Sequence, residues 1–302
     1  MCIRDRDTGS ATVRLNDAGN FTVQVGVTDM GQGSDTVMTM MAAEVLEVPM
    51  SEIIINASDT DVSPYDPGAY ASSGTYVTGN AVILAAKKMR EEVMKMASFL
   101  MKTPIEELEY MGEYVQDKNG NQLSLKEIGI RSVSFEGMNQ LTTTATWGGK
   151  TSPPPFIASF AEVEVDTLTG ETKVIDFLSV VDCGLPINPA LAQVQVEGGI
   201  AQGIGLALYE DIQFDERGKM KHDTLMQYKI PSRKDLGNNI KVMFSYSDEP
   251  TGPFGAKSIG EVVINTASPA IADAIYNATN RRLRSLPMTS EKIFWAINSK
   301  NN

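Results

Sequence analysis

Ala11-Thr-Val-Arg-Leu-Asn-Asp-Ala-Gly-Asn-Phe-Thr-Val-Gln-Val-Gly-Val27 alternates apolar and polar residues on either side of a turn cluster, Asn16 to Asn20. Period-two alternation around turn formers reads as a β-hairpin. Thr28-Asp-Met-Gly-Gln-Gly-Ser-Asp35 follows, and then Val37, Met40, Met41, Ala43, Val45 and Leu46 recur at helical spacing. The chain therefore passes from strand to helix through a glycine-rich turn. Glu52-Ile-Ile-Ile-Asn-Ala57 predicts a short buried strand. Asn80 to Met101 predicts an amphipathic helix, with Met89, Met94, Met96 and Met101 in the core and Lys87, Lys88, Arg90, Glu91 and Glu92 on a solvated face. The pattern then weakens into short strands and turns as far as Gly148-Gly149 and Pro153-Pro-Pro155.

After these prolines the order returns. Phe160-Ala-Glu-Val-Glu-Val and Lys173-Val-Ile-Asp-Phe flank the turn Asp166-Thr-Leu-Thr-Gly170, Asn188 to Tyr209 predicts a helix opened by Pro189, Ile240-Lys-Val-Met-Phe a strand, and Pro269 to Arg282 a closing helix with Ser268 as its cap. The expected fold class is α+β: two related lobes, each strand-strand-helix-strand-helix, with glycine-rich loops meeting between them. Residues 11–150 form the first lobe and 151–302 the second. Residues 1–10 match no element and are expected to be a non-native or disordered leader.

With 302 residues, the chain can bury a sizeable core. A net charge of -12 argues against nucleic acid and anionic membrane surfaces, which require clustered Lys and Arg. No apolar run approaches the length of a membrane span and the opening residues hold no signal core, so the chain reads as cytoplasmic. Cys2 and Cys183 are too few and too far apart for a thiolate metal site, and the single histidine, His222, removes zinc and Ser-His-Asp chemistry from consideration. Hydrolysis by Ser72 or Ser73 fails for want of a base. Asp59 and Asp61 resemble a DxD metal motif but lack further acidic ligands at fitting spacing.

Four stretches carry candidate chemistry. Gly31-Gln32-Gly33 presents backbone N–H groups and an amide at a helix N-terminus, where phosphate or a polar cofactor is the natural guest. Asp59 to Gly79 is a long loop of small residues that lets backbone approach a ligand. Four interior glycines in the second helix suggest close packing against either a ligand or a neighbouring backbone, which makes the intervening Gln202 a ligand candidate. Gly252-Pro-Phe-Gly-Ala-Lys-Ser-Ile-Gly-Glu261 leads through tight turns to one carboxylate; beside an apolar run, Glu261 is expected to be partly desolvated and suited to general-base work.

In order and spacing, Thr-Asp-Met-Gly-Gln-Gly, Pro-Tyr-Asp-Pro-Gly-Ala-Tyr-Ala-Ser, Val-Glu-Gly-Gly-Ile-Ala-Gln-Gly and Gly-Pro-Phe-Gly-Ala-Lys-Ser-Ile-Gly-Glu resemble the molybdenum-binding subunit of the xanthine dehydrogenase and aldehyde oxidase family. The resemblance runs from about Ala11 to Leu286-Pro-Met-Thr-Ser-Glu-Lys-Ile. It implies a molybdenum–molybdopterin cofactor, plain or as its cytosine dinucleotide, held by Gly31, Gln32, Gly33, Ala71, Ser72, Ser73 and Gln202, with Glu261 as catalytic base and no protein ligand to the metal. The implied reaction hydroxylates an electron-poor carbon of a purine or other N-heterocycle with oxygen from water, the alternatives being an aldehyde oxidoreductase or a scaffold that has lost the metal. Iron–sulfur clusters and FAD are expected only on partner chains, an iron–sulfur subunit and an FAD subunit. Two departures, Gly74 for a serine and Ser258-Ile259 before Gly260-Glu261, bear on substrate identity. The family's subunit is more than twice this length, so the chain is expected to be a C-terminal half whose upstream half is a further partner.

Overall fold

The computed structural model describes residues 7–135, 139–149, 151–237 and 239–299. The first six residues of the expected leader lie outside these. Thr8–Ser10, counted with that expected leader, open strand β1 (Thr8–Leu15) and pair with Thr146–Gly148, a distant partner that local reading does not reveal.

The chain forms two compact units. The first comprises Met1–Pro154 with Leu185–Asn188 and Asp248–Ser258; the second comprises Pro155–Gly184, Pro189–Ser247 and Ile259–Asn302. A single boundary near residue 150 therefore misses two returns of the chain into the first unit. The second return carries Gly252-Pro-Phe-Gly255.

In the first unit, β1 and β2 (Phe21–Val25) form the expected antiparallel hairpin, followed by α1 (Ser34–Leu46), β3 (Ile53–Ala57) and α2 (Gly74–Met101). A short meander of β4 (Leu108–Tyr110), β5 (Tyr114–Asp117) and β6 (Gln122–Ser124) leads through α3 (Leu125–Ser134) to β7 (Thr142–Gly148). The main sheet has the order β3-β2-β1-β7, with β3 parallel to β2. Val13, Leu15, Phe21, Val23 and Val25 are fully buried, as are Met38, Met41 and Leu46 of α1 and Ala81, Val82 and Met89 of α2. β3 is not the buried strand expected: it is an edge, and Ile54 is 48% exposed. α2 begins at Gly74, well before Asn80. Its first turn is rich in glycine and β-branched residues, but burial of Tyr76 and Val77 overrides their weak helix propensity. α3 was not expected either. Ser124 and Glu127 form a reciprocal capping box at its start, a signal legible as Ser-x-x-Glu.

The second unit contains β8 (Phe156–Val165), β9 (Thr172–Asp182), α4 (Pro189–Leu208), β10 (Asn239–Phe244), α5 (Val262–Asn265), α6 (Ala267–Thr279) and α7 (Ser290–Asn298). Its sheet has the order β10-β9-β8, with β8 antiparallel and β10 parallel to β9. Phe177, Val181, Ile200, Ile204, Ile271, Ile275 and Ile293 form the core. Cys183, 3% exposed, is a small core residue. The closing helix differs from expectation. Thr266, not Ser268, occupies the cap position, and Pro269 lies in the first turn, where its missing N–H costs nothing. α7 follows because Ile293 has a core to enter, and Gly170, at φ +77°, leaves room for its start: a Cβ there would lie 2.0 Å from the Ser290 carbonyl oxygen. No helix among the described residues is long and apolar enough to cross a membrane.

Candidate functional site

Gly26 and Val27 carry the chain from β2 into the Thr28–Gly33 turn and onto α1. Gly33 occupies the cap position of α1 and has no side chain to satisfy the first-turn amides. Asp29 does so instead, its carboxylate accepting from the N–H of Gly31 at 2.8 Å and of Asp35 at 3.1 Å, with a longer contact to Gly33 at 3.4 Å. These donors, the Gly31 amide foremost, hold the Asp29 carboxyl below the usual aspartate range. A lowered folded-state pKa means that the stabilisation is complete above the ordinary aspartate value and is lost as the pH falls through the lowered one. Asp29→Ala is therefore expected to cost about 1 kcal/mol at pH 7, with the difference from the parent protein shrinking as the pH falls below the ordinary aspartate range. Denaturant titrations of both proteins across this range provide the check.

Gln32 closes the same turn from the other side. Its Nε2 donates to the Thr28 carbonyl at 2.7 Å and its Oε1 accepts from the Met30 N–H. One N–H and one lone pair of the amide remain for a ligand. Gly31, at φ +100°, has nothing within 4 Å of the place a Cβ would occupy, so the turn presents open backbone. At the start of α1, Ser34 is 6% exposed and its Oγ has no partner; Asp35 Oδ1 is likewise buried and unpartnered. Burial, and then the Asp29 charge, push the Asp35 carboxyl up.

The long loop returns to the same end of the sheet. Ser58 Oγ donates to the Val27 carbonyl at 3.4 Å, and Thr78 Oγ1 donates to Asp66 at 2.9 Å. A Cβ on Gly74, where the resemblance implies serine, would lie 3.3 Å from Val27 Cγ2. The Gly31–Gly33 turn and the start of α2 thus both adjoin Val27. Ala71 and Ser72 take φ of 50° and 56°, a left-handed pair without glycine that costs on the order of 1–3 kcal/mol per residue. Ser73 Oγ donates to the Tyr70 carbonyl at 3.0 Å, closing the turn at the cap position of α2. Asp59 of the DxD look-alike accepts from the Asp61 N–H and serves the loop's own turn.

Gln202 and Glu261 belong to the second unit. Gln202 is exposed on α4, in a stripe with Val194, Gly198 and Leu206, and nothing lies within 4 Å of a Cβ built on Gly198. The other glycines of α4 have different causes. Gly199 and Gly203 pack against Val263 of α5 and Ala267 of α6, and Gly205 makes room for the Glu210 carboxylate. Glu261 occupies the cap position of α5 and is exposed, which corrects the expectation that it is partly desolvated. The flanking apolar residue Val263 turns inward to the core instead.

In the first unit, Phe254 joins Met40, Met41, Glu44, Leu185, Pro186 and Ile187 around a cavity of about 290 Å³. A larger one, about 670 Å³, is lined by Glu47, Arg90, Met94 and Leu108–Met111 and involves none of the candidate residues.

Residues 2–237 match the model of the molybdopterin cofactor-binding domain. The chain belongs to that family. It is 36% identical over 295 residues to a probable hypoxanthine oxidase of Escherichia coli K12, covering 98% of this chain and 31% of that protein. It is 33% identical over 294 residues to a putative xanthine dehydrogenase molybdenum-binding subunit of the same organism, covering 95% and 39%. Among solved structures, quinoline 2-oxidoreductase from Pseudomonas putida 86 superposes with a TM-score of 0.86 at 31% identity, over 98% of this chain and 39% of that one. The chain therefore spans about a third of the length of these relatives.

The residues of the molybdopterin-binding chain fit such a group. A pterin needs hydrogen-bond donors and acceptors on backbone it can approach. With the first-turn amides already taken by Asp29, the start of α1 offers the partnerless Ser34 hydroxyl and the remaining N–H and lone pair of the Gln32 amide, beside a Gly31 that leaves open space. Asp29 and Ser34 were not singled out from sequence. An aspartate just before a glycine turn is a visible turn former, whereas a buried, partnerless hydroxyl has no sequence signature.

Proposed function

We propose that this chain is part of a molybdenum hydroxylase that inserts oxygen from water at an electron-poor carbon of a purine or other N-heterocycle. The observation that carries this reading is the 36% identity, over 98% of the chain, to the probable hypoxanthine oxidase, with Glu261 present. When bound, the molybdenum–pterin cofactor, plain or as its cytosine dinucleotide, supplies the two-electron oxidant. Gly31, Gln32, Gly33, Ala71, Ser72, Ser73 and Gln202 are assigned to hold it. Glu261 is assigned to accept, on its carboxylate, the proton released as water-derived oxygen adds to the substrate carbon.

The two units are read as related lobes. Support comes from the shared order strand, strand, helix, strand, helix, and from the sheet orders β3-β2-β1 and β10-β9-β8, each with one antiparallel and one parallel pair. An iron–sulfur subunit, an FAD subunit and an upstream half of the same subunit are the proposed partners, since two cysteines cannot hold a cluster that passes electrons onward. Two cysteines also suit a reducing cytoplasm.

The test is to purify the full-length protein with its partners, assay molybdenum and pterin, and compare turnover of hypoxanthine with that of an aromatic aldehyde. Stoichiometric cofactor with faster purine oxidation is expected, together with only loosely held metal in the 302-residue chain alone. Faster aldehyde oxidation favours the second reading, which the 30% identity to the aldehyde oxidoreductase molybdenum-binding subunit of Escherichia coli K12 supports. Absence of metal and pterin from the full-length protein leaves the scaffold reading.

A further inference from the structure

In the sheet of the second unit, Val174, Phe177 and Val181 of β9 lie in the core, and Ile157 and Ala161 of β8 and Ile240 and Val242 of β10 pack against it. Successive side chains of a strand point to opposite faces. The face turned away from that core therefore carries Phe156, Ala158 and Phe160 of β8, Leu178 and Val180 of β9, and Met243 of β10. The register makes these residues neighbours: Phe160 stands beside Leu178, Ala158 beside Val180, and Met243 beside Val180 from the other side. Phe156 and Phe160 are each 62% exposed and Met243 is 58% exposed. The charges gather at one end of this face. Glu162 and Glu164 continue β8 past Phe160 and are exposed, while Lys241 is already paired with Asp176 at 3.5 Å.

The sheet of the first unit shows how a solvated face is built. Thr142, Thr144 and Thr146 of β7 are exposed on it, with the Thr144 hydroxyl 2.9 Å from that of Thr12 and the Thr146 hydroxyl 2.9 Å from that of Ser10. A sheet face that meets water is polar in this way, whereas a contiguous apolar surface marks a place where something binds. A second copy of the chain makes a poor cover, because each copy carries a net charge of -12 and Glu162 and Glu164 add to the repulsion. The matched part of the relatives is 31% and 39% of their length, so about two thirds of each polypeptide lies beyond it. A cover on the same polypeptide needs little affinity of its own, since the linkage supplies a high effective concentration. We propose that the outer face of β8, β9 and β10 is the docking surface for the further chain of the same full-length subunit, which presents apolar residues to Phe156, Phe160 and Met243 and basic ones to Glu162 and Glu164. The proposal rests on the reading of these 302 residues as part of a longer subunit.

The test places the photo-crosslinking residue p-benzoylphenylalanine at Phe160, and separately at Met243, in the full-length protein with its partners. Both side chains lie outside the core, so the sheet keeps its packing, and they sit on the two edge strands. After irradiation of a mixture of ordinary and isotope-labelled protein, mass spectrometry identifies the joined peptides and separates links within one chain from links between copies. From both positions the dominant link is expected to reach sequence of the same polypeptide outside these 302 residues, in a peptide that contains Lys or Arg. A dominant link to a second copy, to an iron–sulfur or FAD subunit, or to another part of these 302 residues overturns the proposal. So does the absence of any link, which is the result for a face left in water. The intact mass of the purified polypeptide is read alongside. A polypeptide no longer than these 302 residues overturns the reading of a longer subunit, a failure that the mass alone distinguishes from a wrongly assigned face.

Discussion

Glu261→Gln in the full-length assembly is expected to lower turnover about a hundred- to ten-thousand-fold, the usual loss when one general base is removed. Glutamine preserves shape and most hydrogen bonding but accepts no proton at neutral pH. Molybdenum content should not change, because the proposed pterin contacts lie on the Gly31–Gly33 and Ala71–Ser73 turns and on Gln202. Turnover and metal are to be measured on one preparation. Near-normal turnover with normal metal removes Glu261 from the chemistry; loss of metal makes it structural.

Gly203→Val is expected to destabilise the second unit by about 3 kcal/mol or more. A Cβ on Gly203 would lie 2.2 Å from the Ala267 Cβ, and one on Gly199 would lie 2.2 Å from Val263 Cγ2. Carbon atoms pack at about 3.5–4 Å, so α4 and α6 would have to part by more than an ångström through a core that holds Ile200, Ile204, Ile271 and Ile275. The roughly 1 kcal/mol of helix propensity regained by replacing glycine does not offset this. Gly198→Ala is the control: its Cβ meets nothing within 4 Å, so stability should hold or rise by up to about 1 kcal/mol. Denaturant unfolding of the full-length protein reads both. A Gly203→Val protein as stable as its parent would remove the close-packing account of α4.

Both hairpins, α1, α4 and β10 were legible because alternation and helical spacing are properties of neighbouring residues. So was the order of elements, and four motifs in fixed order were enough to indicate the family. The helices missed had weaker marks. The capping pattern Ser124-Leu-Lys-Glu127 announced α3, while α7 depends on Ile293 finding a core built from residues far away in sequence.

The candidate site divides along the same line. Gly31-Gln32-Gly33 at a helix start, the small-residue loop and the carboxylate at the end of Gly252-Pro-Phe-Gly255 could all be named from sequence, since each is a local arrangement of backbone freedom and polar groups. Their surroundings could not. The exposure of Glu261, the engagement of Gln32 with its own turn and the partnerless hydroxyl of Ser34 depend on what the rest of the chain places beside them. The glycines of α4 make the contrast plainest. Read along the chain, Gly198, Gly199 and Gly203 are equivalent, and ligand or neighbouring helix explains them equally well. In the fold, one faces open space and two face α5 and α6, because a helix turns successive residues through about 100° and only the elements packed around it decide which of those directions is filled.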